Sequence, residues 1–140
     1  MFVLYGLLGS ASPPFSDEIL LRELSRYFSG DERLAVSSQA LPFGGKRVAV
    51  LSWPSWQVKV AYEEGSSVAE DCAEIRRRLG RAAPGDLQGT RKRIRAVFGD
   101  DDGREYTNQA IMMLEFLTAI PGAIVFDPQQ NDIVRVRDRP

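Results

Sequence analysis

The densest group of side chains able to do chemistry is Asp100-Asp101-Asp102-Gly103-Arg104-Glu105, with four carboxylates in six residues. Carboxylates packed this closely serve to hold a hard cation, to move protons, or to present negative potential to a basic partner. An EF-hand calcium loop needs oxygen ligands at alternate positions, glycine at the sixth and glutamate at the twelfth. Counting from Asp100, glycine is fourth and the twelfth residue is Ile111, so the spacing is not that of an EF-hand. The plain reading is a solvated acidic turn. The functional reading is a patch that recognises a basic surface, because several carboxylates on one loop create a local negative field. Asp127 follows the apolar run Ala123-Ile124-Val125-Phe126, where α/β enzymes place carboxylates. No partner base or metal ligand stands at a readable spacing from it, and Asp-Pro is an ordinary turn opening.

The chain contains no histidine. That removes Ser-His-Asp and Cys-His catalysis, histidine-ligated zinc and the usual general base near neutral pH. Its sole cysteine, Cys72, excludes an intramolecular disulfide and lies on an apolar helical stripe with Val68 and Ile75, the setting of a core thiol. Gly44-Gly45-Lys46 lacks the first glycine and the following hydroxyl of a phosphate loop. No cofactor motif or metal-ligand set emerges, so the expectation is no cofactor and no metal.

Positive charge gathers between Arg76 and Arg95, where Arg76, Arg77, Arg78, Arg81, Arg91, Lys92, Arg93 and Arg95 face only Asp86. These residues come from a helix, a loop and a strand without interleaved aromatics. Ion pairing on a solvated face is therefore expected rather than nucleic-acid binding. Trp53-Pro54-Ser55-Trp56 is the main aromatic cluster; Trp56 falls on a core face, and Trp53, near a turn, is a candidate partner anchor at the rim.

The elements that must position these groups follow from periodicity. Phe2–Leu8 reads as a buried strand, too short to span a bilayer and without a basic segment before it. Ser16 caps a helix reaching about Ser29, with Leu20, Leu24, Tyr27 and Phe28 as its apolar stripe and Gly30 as its stop. Strands are expected at Leu34-Ala35-Val36, at 47–51 and at 56–62, the last with Trp56, Val58, Val60 and Tyr62 on one side. The Ser52–Ser55 connection makes a hairpin of the last two. A Ser67/Glu70 capping box opens a second helix carrying Val68, Cys72, Ile75 and Leu79, with a Glu74–Arg78 pair outside. Ile94, Ala96 and Phe98 form the inner side of a strand whose Arg93 and Arg95 are wet. A third helix from about Thr107 to Ile120 carries only Glu115 as a charge and should be covered on more than one side. Pro121-Gly122 ends it, Ala123–Phe126 is a strand, and Ile133–Arg137 is a last strand with Arg135 and Arg137 outward.

The resulting order is β-α-β-β-β-α-β-α-β-β in a single domain over residues 1–140. Hairpins mixed with helical crossovers imply an α+β fold: one mixed, largely antiparallel sheet with about three helices mainly on one face. Composition, 44% hydrophobic and 26% charged with net charge −1, is that of a globular protein and carries no global field toward nucleic acid or membrane. The lone cysteine fits a reducing cytoplasm.

The stretch from Glu105-Tyr106-Thr107-Asn108 to Ile120-Pro121-Gly122-Ala123-Ile124-Val125-Phe126-Asp127-Pro128-Gln129-Gln130 resembles segments of small bacterial α/β proteins, among them immunity proteins of polymorphic toxin systems. The resemblance implies a stoichiometric inhibitor that binds one cognate toxin and performs no chemistry. No binding residue transfers with it. On the residues themselves, Asp100, Asp101, Asp102 and Glu105 are expected to meet a basic surface or cleft of that partner, with Trp53 near the contact. Two other classes compete. One is a regulatory or structural domain that binds a housekeeping partner or itself, a homodimer if the apolar helix is a shared face. The other is a metal-dependent hydrolase built on Asp100–Asp102, Glu105 and Asp127.

Overall fold

The computed structural model describes residues 2–42 and 45–134, with the backbone alone at Asp86. Strand β1 (Phe2–Leu8) leads to helix α1 (Asp17–Tyr27), then to β2 (Ala35–Ala40), β3 (Arg47–Trp53) and β4 (Trp56–Glu64). Helix α2 (Ser66–Leu79) and two 3-10 turns, Gly80–Ala82 and Gly85–Leu87, precede β5 (Lys92–Phe98). Helix α3 (Thr107–Thr118), β6 (Ile124–Asp127) and β7 (Asp132–Ile133) complete the described chain. The element order is the one that periodicity gives.

All seven strands belong to one sheet, ordered β2-β3-β4-β5-β1-β6-β7. The α+β expectation holds. Antiparallel character goes further than expected, since every pairing among the described strands is antiparallel. The long strand β1 lies between β5 and β6, with Leu4 opposite Ala96 and Gly6 opposite Val125. It therefore joins the β2–β5 part of the sheet to β6 and β7.

Side chains alternate across the sheet. One face carries Leu4, Leu51, Val58, Val60, Ile94, Ala96 and Val125 against Leu20 and Leu24 of α1 and Met113, Phe116 and Leu117 of α3. Gly6 belongs to that face because a Cβ there would come 3.3 Å from Leu117 Cδ2. The opposite face packs Leu7 and Phe126 under Val68, Cys72 and Ile75 of α2. Two helices thus share one face and the third lies on the other.

That placement corrects the expectation for Arg93. Instead of facing water, its side chain is 8% exposed between α2 and the sheet. Its guanidinium donates to Glu63 at 2.8 Å and to Asp71 of α2 at 2.8 Å, and stacks over Tyr5 with its central carbon 4.7 Å from the ring centroid. The two carboxylates raise its pKa against the opposing effect of burial. Arg95 is half-exposed and pairs with Glu63 at 3.2 Å. Strand alternation marks both arginines as facing away from Ile94. It does not say that a helix lands over one of them.

Three helix details also differ from the periodic reading. Helix α1 has Ser16 as its cap, the Oγ accepting from the Ile19 N–H at 3.1 Å, but ends at Tyr27 with Phe28 as C-cap. Helix α2 starts one residue before Ser67, capped by Gly65 at φ 116° with no side-chain hydrogen bond, so no capping box forms. A positive φ lets the chain turn straight from β4 into the helix, which glycine alone does cheaply. Helix α3 buries Met113, Phe116 and Leu117 but leaves Ile111 47% exposed, so it is covered on one side rather than several. The expected outward residues Arg135 and Arg137 lie outside the described residues, as does Gly44.

Cys72 is 1% exposed, and burial, the largest influence, raises its thiol pKa. A thiol in that setting is inert. Native protein should react with a thiol reagent such as Ellman's only at the rate of unfolding, and immediately in guanidinium; prompt labelling of native protein would contradict the core position.

Candidate functional site: an acidic turn over an aromatic cluster

Three segments meet at the end of the sheet where β5 finishes: the α1–β2 connection, the β3–β4 hairpin and the chain from Gly99 to Tyr106. The hairpin loop is only Pro54-Ser55, flanked by the cross-strand pair Trp53 and Trp56. Two-residue hairpins favour turns with positive φ, which proline cannot adopt, and Ser55 is not in that region either. The turn is held from outside instead. The Tyr106 hydroxyl oxygen accepts from the Ser55 N–H at 3.3 Å and lies 3.0 Å from the Ser55 Oγ.

Tyr106 is 1% exposed and stacks on Trp56, with centroids 5.2 Å apart and planes at 9°. Trp53 packs against Trp56, Tyr106 and Phe28 at centroid distances of 5.2, 6.2 and 6.0 Å. Offset and edge contacts of this kind add about 0.5–1.5 kcal/mol per pair beyond area burial. The two indole N–H groups are satisfied: Trp53 donates to Asp31 at 2.8 Å and Trp56 to the Gly99 carbonyl at 2.7 Å. Trp53 is thus 5% exposed and belongs to the core, not to an exposed rim. A large ring beside a two-residue turn is drawn inward here because α1 and α3 both reach over it.

The acidic turn is built on this cluster. Asp101 closes it: Oδ1 accepts from the Glu105 N–H at 3.0 Å, Oδ2 from the Tyr106 N–H at 2.8 Å, and its carbonyl from the Arg104 N–H at 3.0 Å. Arg104 sits at φ 54°, the one strained position of the turn. Asp101 therefore serves the loop and the start of α3, while Asp100, Asp102 and Glu105 stand exposed. Arg33 lies 3.7 Å from Glu105 and 5.5 Å from the Tyr106 ring centroid, bracing the turn against the α1–β2 connection. Beside the carboxylates lies a depression of about 490 Å³ whose floor includes Phe2, Phe98 and Trp56 and whose rim includes Asp100 and Arg104. Phe2 is 39% exposed there, an aromatic surface that no residue pattern singles out.

The other candidates separate. Asp127 is buried, its Oδ1 accepting from the N–H groups of Gln129 and Gln130 at 2.8 and 3.2 Å, which makes it the closer of its own turn. Among the described residues no three acidic or cysteine side chains gather as a metal site. Asp127 closes the turn after β6 and Asp101 the turn before α3, so these two carboxylates serve separate loops. The basic segment is divided as well. Glu74 takes Arg77 and Arg78, Glu63 takes Arg93 and Arg95, and Asp71 also takes Arg93. No described helix is long and apolar enough to cross a membrane. Comparison with protein-family models, with curated proteins and with solved structures returns no match.

Two outcomes test this arrangement. Tyr106→Phe keeps the stacked ring but removes the hydroxyl that holds Ser55, and should cost about 1 kcal/mol in urea denaturation. Asp31 has its pKa held below the ordinary carboxylate range, chiefly by the Trp53 indole N–H, against the opposing effect of burial. A depressed folded pKa contributes stability above the unfolded value of about 3.9, lost as pH falls through the folded value. Asp31→Asn retains an acceptor for Trp53 but cannot ionise. The stability gap between wild type and this variant should be constant from pH 5 to 8 and should narrow below about pH 4.

Proposed function

We propose that the chain is a stoichiometric protein-binding domain acting in the cytoplasm, an immunity-type inhibitor that occupies a basic surface of one cognate toxin and carries out no reaction. The observation that supports this reading is the exposed trio Asp100, Asp102 and Glu105 on a turn locked by Asp101 and braced by Arg33, next to an aromatic depression. Fixed carboxylates speed encounter with a cationic partner, and an apolar pocket beside them receives an anchor that sets the dissociation rate. Because the turn is tied down before contact, little ordering cost falls on binding.

The exposed Ile111 on the outer side of α3 favours a second reading, a regulatory or structural domain that self-associates through that helix. Light scattering at micromolar concentration distinguishes the two, since the inhibitor reading expects a monomer and the second a dimer.

The direct test is gentle purification of the tagged chain from its native host. A single partner recovered in near-equal amount, toxic when produced alone, is the expected result; recovery of this chain by itself overturns the proposal. With that partner in hand, Asp100→Lys, Asp102→Lys and Glu105→Lys together should slow association by about tenfold or more at low salt with little change in melting temperature. Asp101 is left intact because its loss would open the turn.

A further inference from the structure

At the opposite end of β5, away from the acidic turn, a cleft lies between the β1–α1 loop and the segment entering β5. We infer that this cleft binds a phosphorylated small molecule of about nucleotide size. Its volume of about 700 Å³ lies within the range of ligand sites, about 300–1,000 Å³.

The cations are the first reason. Arg91 and Lys92 both line the cleft and both are exposed. Among the described residues neither has a carboxylate within salt-bridge distance, whereas Arg77, Arg78, Arg93 and Arg95 all do. Lys92 has Glu64 directly across the strand pair, but the Glu64 Oε2 takes the Tyr62 hydroxyl at 2.7 Å instead. Two cations at adjacent positions, neither in a salt bridge among the described residues, therefore line one concavity, and a cleft lined by one sign of charge attracts the opposite ion.

Rigid backbone opposite them is the second reason. The β1–α1 loop turns back on itself, with the Ser12 N–H donating to the Gly9 carbonyl at 3.1 Å and the Gly9 N–H to Ser12 Oγ at 3.0 Å. That same hydroxyl donates to the Pro121 carbonyl at 2.7 Å, fastening the loop to the turn after α3. The approach is close: a Cβ on Gly9 would fall 2.9 Å from the Gly122 carbonyl oxygen. Ser10 is thereby presented to the cleft with its hydroxyl and N–H making no hydrogen bond to the described residues. On the facing side Gln88 is exposed, and Gly89, at φ +78°, bends the chain with open space where a Cβ would be. Hydroxyl, amide and bare backbone beside guanidinium and ammonium are the donor set of a phosphate site. Pro13 and Pro14 add an apolar wall, which inorganic phosphate would leave unused and an organic phosphate would cover.

Calorimetry on the full chain with ADP, inorganic phosphate and adenosine as separate titrants tests this. The expected result is binding of ADP, weaker binding of inorganic phosphate, and adenosine at least tenfold weaker than ADP. Arg91→Ala with Lys92→Ala should weaken ADP at least tenfold while the melting temperature and amide spectrum match the wild type. Amide shifts on adding ADP should centre on Ser10, Gln88 and Gly89. Silence from both ADP and inorganic phosphate at millimolar concentration overturns the inference. So does adenosine binding as well as ADP, undiminished ADP affinity in the double variant, or amide shifts confined to another surface. Failure here leaves the acidic turn and its partner test untouched, since the two sites share no residue.

Discussion

The stacking of Tyr106 on Trp56, with the Tyr106 hydroxyl tied to Ser55, is the contact on which the rest of the structure depends. It joins segments 51 residues apart and supplies what the hairpin sequence lacks, an outside hold on a loop containing proline. Trp53 and Arg33 gather on the same ring and Phe28 packs on Trp53 in turn, so the end of α1, the hairpin and the start of α3 are linked through one aromatic cluster. Asp101 completes the arrangement by binding the Tyr106 N–H, which makes the geometry of the acidic turn a consequence of core packing.

Strand β5 then separates two chemically opposite ends. It begins at Lys92, at the basic cleft, and ends at Phe98, just before the acidic turn. Six residue steps of extended chain span roughly 20 Å. Between them Arg93, buried, and Arg95, half-exposed, pair with Glu63 and Asp71, so the charge at the middle of the strand is matched within the protein. A net charge of −1 conceals this polarity entirely.

Much of the fold was legible because the signals are local. Ser16 preceding Asp17-Glu18, the alternation of Trp56, Val58, Val60 and Tyr62, and the interval from Val68 to Cys72 to Ile75 each state an element and its buried side without reference to anything distant. Strand β2 was only half visible, since Ser37, Ser38 and Gln39 are small or polar and pair with β3 at a sheet edge with no apolar repeat to announce them. The capping box failed for a related reason: the residue pattern was present, but Gly65 allowed the helix to begin before it.

By itself the sequence determined the element order, the inner faces of the strands, the absence of histidine chemistry and the position of an acidic turn between β5 and α3. Tertiary structure alone decided that α2 crosses the sheet face opposite α1 and α3, which buried Arg93, and that Trp53 lies inside rather than at the rim. It also turned Asp101 and Asp127 onto their own backbones, left Asp100, Asp102 and Glu105 exposed on the turn, and placed Arg91 and Lys92 beside the cleft. The physical reason is range. Periodicity and capping act within one or two turns of chain, whereas burial and charge pairing depend on neighbours such as Asp71 for Arg93 or Asp31 for Trp53, 22 residues away in each case.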